Sequence, residues 1–271
     1  MAKVEIITRA FNRLEYTVQC VRAVDKLAGM DNYRHIVIDQ ESTDGTGAWL
    51  HSLEREGYYK IKPICNRENT GDAGGMADGL AVVEDDCKYI MQLDNDCEPI
   101  TDDFLKSLVQ IMDNYFNIGA IMLKRYGVSR VLQPDSIITI NGHSMGILPE
   151  NKNYTCATIM RWDLVNQSDI LFTGDKIAWV QTVTRWMRKQ GIDVYKCLDI
   201  RVMHIDTTGG QVKKYPSYFQ AKTTKGSNFT EVNYNENGYA TCPHEMTLGR
   251  DRDGNKIYFC HKCKINTNKL G

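Results

Sequence analysis

The stretch Tyr89-Ile90-Met91-Gln92-Leu93-Asp94-Asn95-Asp96 joins a short apolar run to two carboxylates. Such a run predicts a buried strand, and residues i and i+2 of an extended segment point to the same side. Asp94 and Asp96 can therefore hold a hard divalent cation, which in turn binds a diphosphate. An isolated pair of this kind is more often an acidic surface turn, so the surrounding segments decide between the two interpretations.

Strand and helix patterns alternate around this stretch. Asn12 opens a helical pattern, and Glu15 three residues later completes a capping box. This alternation is typical of βαβ units, so the sequence predicts an α/β domain, residues 1–210, with a mainly parallel sheet flanked by helices. The other predicted elements are strands at 4–7, 36–38, 61–64, 194–197 and 202–204, a helix at 177–189 and a loop or excursion at 125–156.

The composition indicates a folded, soluble chain. Of its 271 residues, 42% are hydrophobic and 25% are charged, which excludes a mostly disordered or collagen-like protein. No segment approaches the roughly 20 apolar residues that span a bilayer, and residues 1–7 do not resemble a secretion signal. Nine cysteines without a disulfide-like spacing suit a reducing compartment. We therefore expect a cytoplasmic protein with no membrane partner.

Polar segments also follow the other predicted strands. Asp39 ends the second strand, where a carboxylate can accept hydrogen bonds from a base or a ribose, although a turn or cap role is the alternative. The small-residue loop from Asn69 to Gly75 allows backbone amides to approach a ligand. That loop lacks the Gly-Lys-Thr/Ser ending of a P-loop, and the first strand lacks G-x-G-x-x-G. A P-loop ATPase and a dinucleotide-binding dehydrogenase are therefore disfavoured.

Four segments, in the order in which they occur along the chain, together resemble family 2 glycosyltransferases with the GT-A fold. They are Ile6-Ile7-Thr8-Arg9-Ala10-Phe11-Asn12-Arg13, Val37-Ile38-Asp39 with Ser42-Thr43-Asp44-Gly45-Thr46, Asn69-x-Gly71 and Asp94-x-Asp96. The resemblance covers roughly residues 3–206. It implies a single displacement with inversion, in which a sugar moves from a nucleotide-sugar donor, most commonly a UDP-sugar, to a hydroxyl acceptor. It also implies a catalytic Mn²⁺ or Mg²⁺.

The resemblance assigns roles to individual residues. Asp175 occupies the family's acidic position but follows Gly174 instead of the usual Glu, and a helix N-cap is its alternative role. His204 matches a metal-ligand position, although a lone histidine is more often structural. The resemblance implies Asp96 and His204 as ligands of the cation and Asp175 as the general base. Asp94 would contact the ribose or, through water, the cation. The implied nucleotide-binding residues are Thr8, Arg13, Asp39 and Asn69.

The C-terminal region, residues 211–271, has a different character. Residues 1–200 carry a net charge of −6, whereas residues 201–271 carry +5. Cys and His pairs flank a hairpin-like Arg252-Asp253-Gly254-Asn255 turn, which predicts a small zinc-ribbon-like module. The alternatives are His261 as the nitrogen ligand or a set of free thiols. The predicted structural Zn²⁺ ligands are Cys242, His244, Cys260 and Cys263.

The acceptor is a separate question. Lysines interleaved with aromatic residues over 213–225 suit a phosphate backbone and exposed bases. We favour hydroxymethylated pyrimidines in DNA, as in phage enzymes that modify their own genome in the host cytoplasm. The alternatives are a glycosyltransferase acting on a saccharide or lipid-linked acceptor, a metal-dependent nucleotidyltransferase, and a nonenzymatic nucleic-acid-binding protein.

Overall fold

The computed structural model describes residues 3–126, 134–149, 156–167 and 179–205, and short segments beyond them at 214–215, 233–234, 240–241, 247–250, 256–260 and 265–267. The chain divides into two compact units, residues 1–207 and residues 208–271.

The first unit alternates strands and helices from its start. Its first half contains β1 (Lys3–Ala10), α1 (Leu14–Leu27), β2 (Tyr33–Gln40), α2 (Thr46–Arg55), β3 (Ile61–Asn66), α3 (Gly71–Leu80) and β4 (Cys87–Leu93). Its second half contains β5 (Cys97–Pro99), α4 (Phe104–Asn114), β6 (Ile118–Tyr126), β7 (Ser136–Ile140), β8 (His143–Ile147), β9 (Ala157–Arg161), α5 (Trp162–Gln167), α6 (Trp179–Lys189) and β10 (Asp193–His204).

These strands form one ten-stranded sheet in the order β3-β2-β1-β4-β9-β6-β10-β8-β7, with β5 paired to β10. Strands β3, β2, β1 and β4 are mutually parallel, and β6 is parallel to β10. Strand β9 runs antiparallel between β4 and β6, so β6 and β10 point in the same direction as β1 to β4. The predicted α/β class is confirmed. The carboxyl ends of β1, β2, β4 and β10 therefore meet at one edge.

Helices cover both faces of the sheet because each presents one apolar stripe. Cys20 and Val24 of α1 share one core with the α4 side chains. Met76 of α3 shares the other core with Val165 of α5 and Val183 of α6. The face that each helix covers sets which side chains reach the carboxyl edge of the sheet.

The predicted capping box at the start of α1 does not form. Helix α1 begins at Leu14, whose backbone N–H donates to the Asp44 carboxylate at 2.7 Å. Asn12 instead adopts a left-handed conformation with φ of 46°, and its side-chain oxygen accepts the Thr43 N–H at 2.6 Å. A partner from the β2–α2 loop thus replaces the local cap, which local sequence spacing does not reveal.

Two other segments differ from the sequence prediction. The region predicted as a loop contains the antiparallel hairpin β7–β8, which turns at Asn141 and Gly142 with φ of 50° and 80°. Two consecutive positive φ values define a type I′ turn, for which Asn-Gly is a strong signal. The two short strands predicted at 194–197 and 202–204 are one strand, β10, with an irregularity between Cys197 and Arg201.

The second unit contains β11 (Asn233–Tyr234), β12 (Ala240–Thr241), β13 (Thr247–Arg250), β14 (Lys256–Cys260) and β15 (Ile265–Thr267). Strands β13, β14 and β15 form a three-stranded antiparallel sheet, in which Arg250 pairs with Lys256. Three of the predicted zinc ligands, Cys242, His244 and Cys263, lie outside the described residues. The fourth, Cys260, is the last residue of β14, and the zinc site stays a prediction.

Candidate active site

The acidic stretch leaves β4 as a tight turn at the carboxyl edge of the sheet. The Asp94 N–H donates to the Cys156 carbonyl at 2.8 Å, and the Cys97 N–H returns to the Asp94 carbonyl at 3.0 Å. The Ile205 N–H donates to the Asp96 carbonyl at 2.7 Å. Backbone contacts from both sides of the turn therefore hold the two carboxylates in place.

Arg13 binds the second half of this turn. One of its guanidinium nitrogens donates to Asp96 Oδ2 at 2.7 Å, and another donates to Asn95 Oδ1 at 2.6 Å. All three residues are buried, which strengthens these charge-assisted contacts. Sequence reasoning expected Arg13 near the nucleotide, whereas the structure places its guanidinium on the acidic turn itself.

A second arginine, which sequence reasoning missed, contacts the first carboxylate. Arg9 lies on β1, and its guanidinium lies 2.7 Å from Asp72 Oδ1 and 3.2 Å from Asp94 Oδ1. Desolvation raises the pKa of Asp94 to about 7, an effect that Arg9 opposes and the neighbouring Asp96 reinforces. Its position in the sequence could have indicated a role at the site, because Arg9 lies one residue before the carboxyl end of β1.

His204 reaches the same turn from β10. It pairs with Cys97 in the antiparallel β5–β10 ladder, and its Nε2 lies 3.7 Å from Asp96 Oδ2. Burial lowers the pKa of His204, so its imidazole is neutral at pH 7 and has a lone pair for a cation. Among the described residues, His204 Nδ1 has no hydrogen-bond partner although it is buried.

The donor atoms at this point suit a divalent cation. Asp96, Cys97 and His204 each offer one ligand atom, and these atoms all lie within 4.8 Å of one another. Carboxylate oxygen is a preferred ligand of Mn²⁺ and Mg²⁺, and imidazole nitrogen binds transition metals. The residues present therefore fit the metal site that the resemblance implies, in which Asp96 and His204 would be ligands.

The predicted nucleotide residues occupy two different environments. Asp39 is buried at the end of β2, where its Oδ1 accepts the Ser42 N–H at 3.1 Å and burial raises its pKa. Asp39 Oδ2 lies 2.7 Å from the point where a Cβ on Gly47 would stand, so only glycine fits there. Thr8 is fully buried and shares a 2.8 Å hydrogen bond with His35 Nε2. Its hydroxyl therefore faces the core.

The loop between β3 and α3 is attached to the end of β2. Asn69 Oδ1 accepts the Gly71 N–H at 2.9 Å, which forms an Asx turn. Gln40 Oε1 accepts the Thr70 N–H at 2.9 Å. A Cβ on Gly75 would meet Gln40 Nε2 at 1.8 Å, so the missing side chain creates the room that Gln40 needs. Sequence reasoning assigned no role to Gln40.

The model of the family Glycosyl transferase family 2 matches residues 5–192. The chain belongs to glycosyltransferase family 2. Within this family 2 chain, Arg13 and His204 approach Asp96 at the carboxyl edge, and Asp94, two residues before Asp96, pairs with Arg9. Asp39 lies near the end of β2, and Asn69 follows β3. Asp175 lies outside the described residues, and its role as general base stays a prediction.

Several solved structures resemble the chain in fold. A mannosyltransferase of Pyrobaculum calidifontis, PcManGT, in complex with GDP-Man and Mn²⁺ has a TM-score of 0.62 at 15% identity, covering 80% of this chain and 59% of that chain. TarS of S. aureus, residues 1–349 in complex with UDP-GlcNAc, has a TM-score of 0.60 at 16% identity, covering 75% and 58%. The chain thus spans about three fifths of these structures. No curated protein sequence matches it significantly.

Within the part of the chain that the structure describes, no helix is both long enough and apolar enough to cross a membrane.

Proposed function

We propose that the chain transfers a sugar from a nucleotide-sugar donor to a hydroxyl acceptor, with the donor bound at the acidic turn. The observation that carries this proposal is the approach of Arg13 and His204 to Asp96, two residues after Asp94, in a family 2 chain. In open α/β sheets, ligands bind beyond the carboxyl ends of the strands, which is where these residues lie.

The donor is a nucleoside diphosphate sugar, and UDP is the favoured nucleotide. Asp39 lies near the carboxyl end of β2, where its carboxylate would accept hydrogen bonds from a base or a ribose. Helix α3 begins at Gly71 directly after the Asn69 loop, and its dipole favours a diphosphate at that end. The similar structures of PcManGT and TarS contain GDP-Man and UDP-GlcNAc, which supports a donor of this class.

Asp96 and His204 would hold a catalytic Mn²⁺ or Mg²⁺. When bound there, the ion would stabilise the negative charge that develops on the departing diphosphate. The chain supplies the remaining organisation. Arg13 orients the Asp96 carboxylate through a 2.7 Å contact, and Arg9 holds Asp94 at 3.2 Å, so both carboxylates are positioned before the donor binds.

The reaction is a single displacement with inversion. Asp175 accepts the proton of the acceptor hydroxyl as that oxygen attacks the anomeric carbon and the bond to the diphosphate breaks. The family resemblance around Thr173-Gly174-Asp175 supports this role.

The acceptor that we propose is hydroxymethylated pyrimidine in DNA. The net charge of +5 over residues 201–271 favours a polyanionic acceptor, whose phosphates would be neutralised by lysine and arginine side chains. We also infer that the same region binds a structural Zn²⁺ through Cys242, His244, Cys260 and Cys263. The order of strands β13 and β14 around residues 251–255 suits a ribbon of this kind.

The test compares the wild-type protein with Asp96→Asn, using Asp86→Asn as the matched control. Asp86 is an exposed aspartate near the opposite end of β4 that pairs with Lys3. Each protein is incubated with UDP- and GDP-sugars, Mn²⁺ and DNA that contains 5-hydroxymethylcytosine, and nucleosides are analysed by mass spectrometry. We expect a base-linked sugar with wild type and D86N. The transfer rate of D96N should be at least about 100-fold lower, since the ion stabilises the transition state by several kcal/mol.

Two outcomes would contradict the proposal at different levels. Unchanged transfer by D96N would remove Asp96 from the metal site. Sugar transfer to an oligosaccharide or lipid-linked acceptor, with no base-linked sugar, would refute the DNA acceptor but retain the transferase.

A further inference from the structure

Cys97 places a thiol at the acidic turn, next to the two residues assigned to the cation. It directly follows Asp96, and its Sγ lies 3.8 Å from Asp96 Oδ1. Its partner across the β5–β10 ladder is His204, whose Nε2 lies 3.7 Å from the other oxygen of Asp96. The Asp96 carboxylate, the Cys97 sulfur and the His204 nitrogen are therefore neighbours, and one ligand atom of each lies within 4.8 Å of the other two.

The spacing of these atoms is close to that of a tetrahedral metal site. Bonds of about 2.3 Å to sulfur and about 2.0–2.1 Å to nitrogen or oxygen place neighbouring ligand atoms about 3.3–3.6 Å apart. Asp96 lies 3.8 Å from the Cys97 sulfur through Oδ1 and 3.7 Å from His204 Nε2 through Oδ2, and a set with one ligand atom from each residue stays within 4.8 Å. The cysteine and the histidine are fixed opposite each other by backbone pairing, so only small side-chain movements are required.

The chemistry of the thiol changes which ion this point prefers. Mn²⁺ and Mg²⁺ favour oxygen ligands, whereas thiolate sulfur selects softer ions such as zinc. Three protein ligands with a fourth position left to water also form a standard zinc arrangement. A serine in place of Cys97 would offer a weak oxygen ligand and remove this preference.

We propose that Asp96, Cys97 and His204 bind a thiophilic divalent cation, Zn²⁺ or Cd²⁺, in competition with Mn²⁺. The Cys97 thiol releases its proton to solvent as the metal–sulfur bond forms, and no oxidation is involved. Binding of this ion would inhibit sugar transfer, because it occupies the carboxylate that the hard cation uses. The inference rests on the proposed metal role of Asp96 and His204, but not on the identity of donor or acceptor.

The test measures displacement of Mn²⁺ by zinc in the full-length protein. Free Mn²⁺ is followed by electron paramagnetic resonance while ZnCl₂ is added to wild type, Cys97→Ser and Cys87→Ser. Cys87 is the matched control, because it is a buried thiol at the first residue of β4, far from the carboxyl edge. Each protein is first titrated with Mn²⁺ alone. All three proteins carry the same C-terminal cysteines, so zinc binding to those cysteines is equal.

We expect zinc to displace Mn²⁺ from wild type and C87S at similar concentrations. C97S should require at least about tenfold more zinc, since losing even an outer partner of a metal ligand costs about 10–100-fold. The same zinc dependence in C97S as in wild type would overturn the proposal, as would bound Mn²⁺ that zinc does not displace from wild type. Wild-type protein that binds no Mn²⁺ would instead refute the proposed metal role of Asp96 and His204.

A second measurement needs no variant and covers the case in which C97S fails to fold. Cadmium bound to thiolate absorbs in the ultraviolet, and the difference spectrum of wild-type protein is recorded with and without excess Mn²⁺. A decrease of the cadmium–thiolate band in the presence of Mn²⁺ would support a thiol at the shared site. A band that Mn²⁺ leaves unchanged would overturn the proposal.

Discussion

Replacement of Arg13 by Met removes the guanidinium group that binds the acidic turn. Arg13 and Asp96 form a 2.7 Å ion pair in which the side chains are only 7% and 11% exposed. Removal of one partner from a buried pair costs about 3–5 kcal/mol, because the remaining charge stays buried without compensation. Asn95 Oδ1 also loses the hydrogen bond that it accepts from Arg13. We therefore expect R13M to lose about 3–5 kcal/mol in its free energy of unfolding without divalent cations.

A divalent cation should restore part of this loss. An ion that binds only the folded state adds about 2.7 kcal/mol when its concentration is 100 times its Kd. In R13M, Asp96 no longer shares its carboxylate with a guanidinium, so Mn²⁺ binds without that competition. The stabilisation by Mn²⁺ should therefore be larger in R13M than in wild type.

The assay is urea unfolding followed by tryptophan fluorescence, with and without Mn²⁺. All four tryptophans of the chain lie in the first unit, so the signal reports the sheet that carries the site. Arg34→Met is the matched control, because Arg34 contacts the fully buried Glu5 at 2.6 Å at the other end of the sheet. R34M should also be destabilised, but with no added response to Mn²⁺. A loss below about 1 kcal/mol in R13M, or equal Mn²⁺ responses in R13M and R34M, would refute the reasoning.

Two further predictions concern other parts of the chain. Burial lowers the pKa of His35 to about 3, below its value of about 6.5 in the unfolded chain. Between these two pH values the unfolded chain binds more protons than the folded chain. The free energy of unfolding therefore decreases as the pH falls below about 6.5. Between pH 6.5 and 5, wild type should lose about 1–2 kcal/mol more than His35→Gln in urea titrations, and equal losses would contradict this assignment. Cys260→Ser should lower the zinc content of purified protein by one ion per chain while nucleotide-sugar binding, measured by calorimetry, is retained; unchanged zinc would exclude Cys260 as a ligand.

Much of the fold was predictable because the relevant signal is local. Apolar runs mark the strands, as at Tyr89 to Leu93, and helical spacing marks the segments between them. The Asn141-Gly142 turn carries an equally local signal, although it lies in a region of weak periodicity. The cap of α1 could not be predicted from local sequence, because Asp44 supplies it from a loop 30 residues away.

The candidate site divides in the same way. Asp94, Asp96 and His204 could be selected from strand-end positions and family resemblance. The roles of Arg9 and Gln40 could not, because each depends on which side chains of neighbouring strands and of α3 lie beside it. Thr8 shows the converse, since its position near a strand end suggested a ligand contact whereas the structure pairs it with the buried His35.

An α/β domain with carboxylates at its strand ends could be predicted from the sequence, because side-chain periodicity and residue type encode both features locally. Which groups meet at that edge depends on the tertiary structure. Arg13 reaches Asp96 across 83 residues, and Cys97 faces His204 only because β5 pairs with β10 in one particular register. Such pairings depend on the order of strands in the sheet and on packing between distant segments, which local periodicity does not specify.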